Sequence, residues 1–203
     1  MSERRHSRSY HRYFENYAEK EVLTPGGGYT IQRVYVGQYY RVDLPDAQLR
    51  RQRVQYLALF LLSLAGYLAG ALMARISAVS LVALATMPPL VAVLIYGIAV
   101  FYRLTVPREM EIRAYRDSSE HLISSSRGFL VCILICFGFS LGGCLLVPGF
   151  SLPETLPSLV CYLVSAGAAL KTCLLEKNTP YLRLEPKQER PAESSPIRYE
   201  MPD

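Results

Sequence analysis

Apolar residues in this chain gather into four long blocks rather than recurring at the short intervals of a soluble core. The blocks run from Tyr56 to Ala74, Val79 to Tyr102, Gly128 to Val147 and Leu156 to Leu175. Asp, Glu, Lys and Arg are missing from all four except for Lys171, near the end of the last. A helix on the surface of a soluble bundle repeats polar residues along one face every three or four positions, and these blocks show no such face. Each block is close to the ~20 residues that cross a ~30 Å hydrocarbon layer. The pattern predicts an all-α membrane protein with four transmembrane helices, arranged as two hairpins over residues 56–102 and 128–175.

The segments outside the blocks have patterns of their own. Tyr10, Tyr13, Phe14, Tyr17 and Ala18 fall at i, i+3, i+4, i+7 and i+8, which predicts an N-terminal amphipathic helix over 10–23. Its aromatic stripe (Tyr10, Tyr13, Phe14, Tyr17) is a candidate surface for a partner or for the bilayer interface; packing on the protein's own loops is the alternative. Gly26-Gly27-Gly28 breaks that helix. Residues 29–36 and 39–42 are rich in β-branched and aromatic side chains around Gly37-Gln38, predicting a small β-hairpin over 29–42. A lone hairpin is marginal in water, so it needs something to lean on.

Asp43 or Asp46, on either side of Pro45, signals the start of a juxtamembrane helix from residue 46. Asp117-Ser118-Ser119-Glu120 has capping-box spacing and predicts a second such helix, closing a 103–127 loop and entering the third span. The parallel suggests a two-plus-two internal repeat. Residues 176–203 carry Pro180, Pro186, Pro191, Pro196 and Pro202, which predicts an extended or disordered tail.

Charge gives the spans a direction. Of the 22 Lys and Arg residues, ten precede residue 56, five lie in 103–127 and six in 171–203, against Arg75 alone in the 75–78 turn and none in 148–155. Positive residues stay on the cytosolic side. The expected arrangement therefore has the N-terminus, the central loop and the C-terminus in the cytosol. It fits a bacterial plasma membrane. The first apolar block begins too late to be the core of a cleavable secretory signal, so the first span is expected to stay in the protein. The net charge of +5 serves attachment to the lipid bilayer, and no motif points to nucleic acid.

Within the spans, Gly66 and Gly70, Gly138 and Gly142, and Ser165 and Ala169 stand at four-residue spacing, the arrangement that lets membrane helices approach closely. Packing within the chain is the expected use, and a homo-oligomer the alternative. Pro88 and Pro89 remove hydrogen bonds to Leu84 and Ala85, which predicts a kink, with the Thr86 hydroxyl available to the freed carbonyls. Lys171 lies close enough to its end of the span to reach the headgroups.

Candidate chemistry is sparse. The five cysteines contain no Cys-x-x-Cys pair; Cys144 and Cys161 are placed to pair only if the third and fourth spans are neighbours. His6, His11 and His121 lack metal-ligand spacing, and no Lys-Ser or Lys-Thr follows the three glycines as a phosphate loop requires. No cofactor, metal or catalytic residue is expected. The expected function is a non-enzymatic membrane subunit or scaffold that binds a cytosolic or membrane protein partner through its cytosolic face. A small transporter or channel subunit is the alternative, and a membrane thiol redox protein a second.

Overall fold

A computed structural model describes residues 17–23, 29–35, 37–74, 80–146 and 152–185. Four helices in it are long and apolar enough to cross a membrane: α1 (Asp46–Met73), α2 (Ser80–Thr105), α3 (Ile112–Leu146) and α4 (Leu152–Lys177). Each runs past the apolar block that predicted it at one end at least, because backbone hydrogen bonding continues through the polar flanks where hydropathy stops.

The surface of these helices is inverted relative to a soluble protein. Ser63, Ser126, Ser140, Ser158 and Ser165 are fully buried, while Leu72 and Leu146 are 87% and 83% exposed. Small hydroxyls inside and large aliphatic side chains outside suit a lipid solvent, where burying apolar surface gains little and close backbone approach gains more. The core is aromatic. Phe60 meets Tyr96 edge-on at 5.5 Å and Tyr96 stacks on Phe129 at 5.9 Å, with Tyr56, Ile133 and Tyr162 packed in the same cluster.

α1 packs chiefly on α4, α4 on α3, and α3 on α2, while α1 and α2 share a smaller interface. The first expected hairpin is thus closed less by its own two helices than by the second pair. Gly97 makes the α1–α2 contact possible: a Cβ there would lie 2.8 Å from the Phe60 ring.

Among the described residues five short strands add to the helices: β1 (Tyr17–Leu23), β2 (Tyr29–Tyr35), β3 (Tyr39–Val42), β4 (Glu109–Glu111) and β5 (Tyr181–Leu184). The fold is therefore mostly helical rather than all-α. Two expectations are corrected here. The described part of the 10–23 segment is a strand, not an amphipathic helix, and it pairs antiparallel with β2, setting Tyr17 opposite Tyr35 and Leu23 opposite Tyr29. The expected pairing of 29–36 with 39–42 does not form. In the described residues 17–23, pairing with the 29–35 segment overrides the local pattern, as sheet partners do elsewhere, and β3 is already taken on both sides. The β1–β2 ribbon and the helical body, residues 40–182, are separate compact units.

In the body, β3 is the middle strand of the order β4-β3-β5. Val42 N donates to Arg108 O at 3.2 Å and Asp43 N to Pro180 O at 3.0 Å. β3 leads into α1, β4 joins α2 to α3, and β5 follows α4. One small sheet thereby gathers all four helices at the same end, and the chain makes two return passes. Pro180 immediately precedes β5, an edge strand, where a missing backbone N–H is tolerated. Beneath the sheet lie Val42, Leu49, Val106 and Met110, and Tyr115 joins Tyr40 (stacked, 4.5 Å) to Tyr181 (edge-on, 4.9 Å).

The flanks differ from expectation too. The 103–127 loop is mostly helix, since α2 runs to Thr105 and α3 begins at Ile112. Asp117-Ser118-Ser119-Glu120 starts nothing. It lies in a π-helical turn, Arg116–Glu120, inside α3. β4 ties the chain so close to Ile112 that the helix starts before the capping box. Asp117 and Glu120 instead face Arg113 and Arg116 one turn back, at 3.8 and 3.9 Å. At α1 the N-cap is Pro45, without a side-chain cap bond; Asp46 pairs with Arg108 Nη1 at 2.9 Å. The tail begins later than residue 176, because Glu176 and Lys177 belong to α4 and 181–184 to β5. Residues 186–203 lie outside the described residues.

Candidate functional site: a buried charged network at the sheet end

Where α1 begins and α2 and α4 finish, side chains from all three helices meet below the sheet. Gln52 and Tyr56 come from one face of α1, four residues apart. Arg103 comes from the last turn of α2, where the positive charge suits the negative end of the helix dipole. Glu176 comes from the last turn of α4, where an acid does not suit that dipole and has to be stabilised from outside its own helix. Thr179 and Tyr181 follow as the chain turns into β5.

Arg103 and Glu176 are 2% and 1% exposed. The Arg103 Nε lies 3.2 Å from the Glu176 carboxylate. Tyr56 donates its hydroxyl proton to Oε2 and Tyr181 donates to Oε1. Arg103 Nη2 donates to the Tyr181 oxygen at 2.9 Å, and Gln52 Nε2 donates to the Tyr56 oxygen at 2.8 Å. Hydrogen-bond donation thus converges on one carboxylate from two sides, from Gln52 through Tyr56 and from Arg103 through Tyr181. Burial, followed by the field of Glu176, pushes the Tyr181 hydroxyl up from its ordinary value, so it stays protonated and remains a donor.

Taking two charges out of water costs several kcal/mol per ion, roughly, and close pairing with further hydrogen bonds is what offsets it. Three donors on one carboxylate meet that condition. The network's chemical capacity is accordingly structural: it fixes three helix ends and a strand to one another. Replacing Tyr56 with Phe is expected to lower stability by about 1–3 kcal/mol, since Glu176 loses a donor and Gln52 an acceptor in a buried place. Thermal unfolding in detergent measures it.

Two smaller polar contacts lie deeper. Tyr96 donates to Thr172 Oγ1 at 2.6 Å, and Ser165 donates to the Ser63 carbonyl at 2.7 Å across α1 and α4. Among the described residues no three His, Cys, Asp or Glu side chains gather as a metal site requires.

The residues singled out from sequence are scattered. Tyr10, Tyr13 and Phe14 lie outside the described residues, and Tyr17 opens β1 in the other compact unit. Gly66 and Gly70 sit at the α1–α4 contact, where an added Cβ would meet Cys161 O at 3.0 Å and Tyr162 Cε1 at 2.5 Å respectively. Among the described residues, nothing lies within 4 Å of a Cβ built at Gly138 or Gly142. α2 continues through Pro88 and Pro89. The Thr86 hydroxyl bonds Ala83 O at 2.7 Å rather than either freed carbonyl, while Tyr67 donates to Thr86 O at 2.8 Å. All five cysteines are free thiols, so Cys144 and Cys161 are not paired. Lys171 is exposed on α4.

Arg103 and Glu176 were not among the candidates, because each follows directly after an apolar block and counts there as loop. One signal could have marked Glu176: it is an acid at the helix end whose dipole disfavours it. Comparison with described protein families, with curated proteins and with solved structures finds no match for this chain.

Proposed function

We propose that this chain is a non-enzymatic, multi-pass protein of a bacterial plasma membrane, with its sheet end and both termini in the cytosol, serving as a membrane subunit or scaffold that holds a protein partner on that face. One observation carries the proposal: Arg103 and Glu176, the buried charged residues among those described, are paired with each other and with two tyrosines. An ion- or proton-coupled carrier keeps a buried charge available for exchange. Here the carboxylate is saturated by the chain's own donors, and opening the network would mean breaking a buried pair at a cost of about 3–5 kcal/mol. That favours a fixed platform over an alternating one. The 21-to-1 distribution of Lys and Arg supports the orientation.

Chemical cross-linking in intact cells, followed by mild detergent extraction, tests the reading. The full chain is expected to carry a specific cross-linked protein that a chain lacking residues 1–35 loses while remaining inserted and folded. Recovery of the full chain alone, together with ion or solute flux in vesicles reconstituted with it, would overturn it.

A further inference from the structure

Four of the five arginines between the end of α2 and the third apolar block are paired with carboxylates: Arg103 with Glu176, Arg108 with Asp46, Arg113 with Asp117 and Arg116 with Glu120. Arg127, the fifth, is the last residue before that block. It reaches across from α3 to α4, where its Nε donates to Cys173 Sγ at 3.4 Å. A thiol is a weak acceptor and brings no negative charge. The contact therefore fixes where the guanidinium sits without neutralising it. The Arg127 side chain is exposed, so a ligand outside the chain can reach it.

A second cation stands beside it. Lys177, the last residue of α4, follows Cys173 by four positions and so lies on the same side of that helix, one turn nearer its end. It too is exposed, and among the described residues neither Arg127 nor Lys177 has a carboxylate at ion-pair distance. Below the two charges the same sides of the helices turn apolar. Leu170 precedes Cys173 by three positions on α4, and Leu134 and Gly138 follow Arg127 by seven and eleven on α3. Both leucines are exposed, and among the described residues a Cβ built at Gly138 would meet nothing within 4 Å. Eleven residues of helix span about 16 Å, close to the thickness of one leaflet of a ~30 Å hydrocarbon layer.

We infer that the seam between α3 and α4 binds one anionic phospholipid, with its phosphate on Arg127 and Lys177 and an acyl chain along Leu134, Gly138 and Leu170. A soluble anion would answer the two charges but not the apolar strip beneath them. A zwitterionic headgroup would bring its own cation against Lys177. The inference takes from the proposed function only that the chain crosses a bilayer.

The test titrates the full, delipidated chain in detergent by native mass spectrometry, with phosphatidylglycerol and phosphatidylcholine of identical acyl chains. One phosphatidylglycerol is expected to be held about thirtyfold more tightly than phosphatidylcholine, each basic residue contributing about fivefold. Arg127→Gln and Lys177→Gln should each remove about fivefold of that preference; both positions are exposed and outside the buried network, and either variant alone suffices. Arg50→Gln takes the same charge from an exposed position at the head of α1 and should leave the preference unchanged. No preference in the parent chain, or an equal loss in Arg50→Gln, overturns the proposal, because the attraction would then be that of any basic surface. Displacement of the lipid by free glycerol phosphate at matching concentration overturns it too, by making the ligand a soluble anion. Neither orientation nor a protein partner enters this titration, so its failure leaves the scaffold reading standing, whereas a chain that stays soluble without detergent would disprove the membrane reading before any lipid is added.

Discussion

Substituting Arg103 with Met is expected to destabilise the folded chain by about 3–5 kcal/mol, because it strands the Glu176 carboxylate in a buried place without its cation. Glu176→Met should cost a comparable amount, since Arg103, Tyr56 and Tyr181 lose their common acceptor at once. The double variant Arg103→Met/Glu176→Met is the informative one. It removes both charges and leaves two buried hydroxyls short of an acceptor, so it should be more stable than either single variant and less stable than the parent. A coupling energy of about 1–3 kcal/mol across that cycle, read from unfolding in detergent, is the expected signature of a pair that acts as one unit. Additive losses would mean that the two side chains matter only for their separate packing.

Gly70→Leu should cost about 3 kcal/mol, and it marks the second place where the fold has no slack. The Cβ alone would come within 2.5 Å of Tyr162 Cε1 and 3.2 Å of the Ser158 carbonyl. Tyr162 is fully buried, so its ring has no free space to move into. Gly66→Ala meets backbone, Cys161 O at 3.0 Å, and should cost about 1–2 kcal/mol net after the ~1 kcal/mol that alanine gains over glycine in a helix. Gly138→Ala and Gly142→Ala meet nothing within 4 Å and should be neutral or stabilising by up to about 1 kcal/mol. Unfolding midpoints of the four variants, measured side by side, separate the glycines that let helices touch from those that do not. If Gly138→Ala instead destabilised the chain only at concentrations where it self-associates, its face would be a contact between copies.

The contrast among these glycines shows what the sequence could and could not convey. Both ladders have the same four-residue spacing, and spacing says only that the residues share a face. Whether that face meets a helix depends on which spans are neighbours, and α1 against α4 is a pairing of the first span with the last. The four long apolar helices themselves were legible because length and apolar composition sufficient to cross a membrane are properties of consecutive residues. The network was not, because it depends on residues far apart in the chain: Arg103 and Glu176 each looked like the first charge beyond a span, and only the end-on sheet brings them together. The 17–23 segment failed for a related reason. Its aromatic spacing is helical up to Ala18, but the choice between helix and strand was made by the partner strand at 29–35.

The order of β4, β3 and β5 also has a consequence for the sequence of events during synthesis. β3 precedes α1 in the chain, and as the middle strand it has open hydrogen-bonding edges on both sides until its neighbours arrive. β4 follows the second span and β5 follows the fourth. Glu176 and Thr179, the partners of Tyr56 and Gln52, are likewise made last. No chain that still lacks α4 and β5 can close the sheet or pair Arg103 with Glu176. Until the final strand is in place, the chain displays an unpaired sheet edge and an Arg103 without its carboxylate partner.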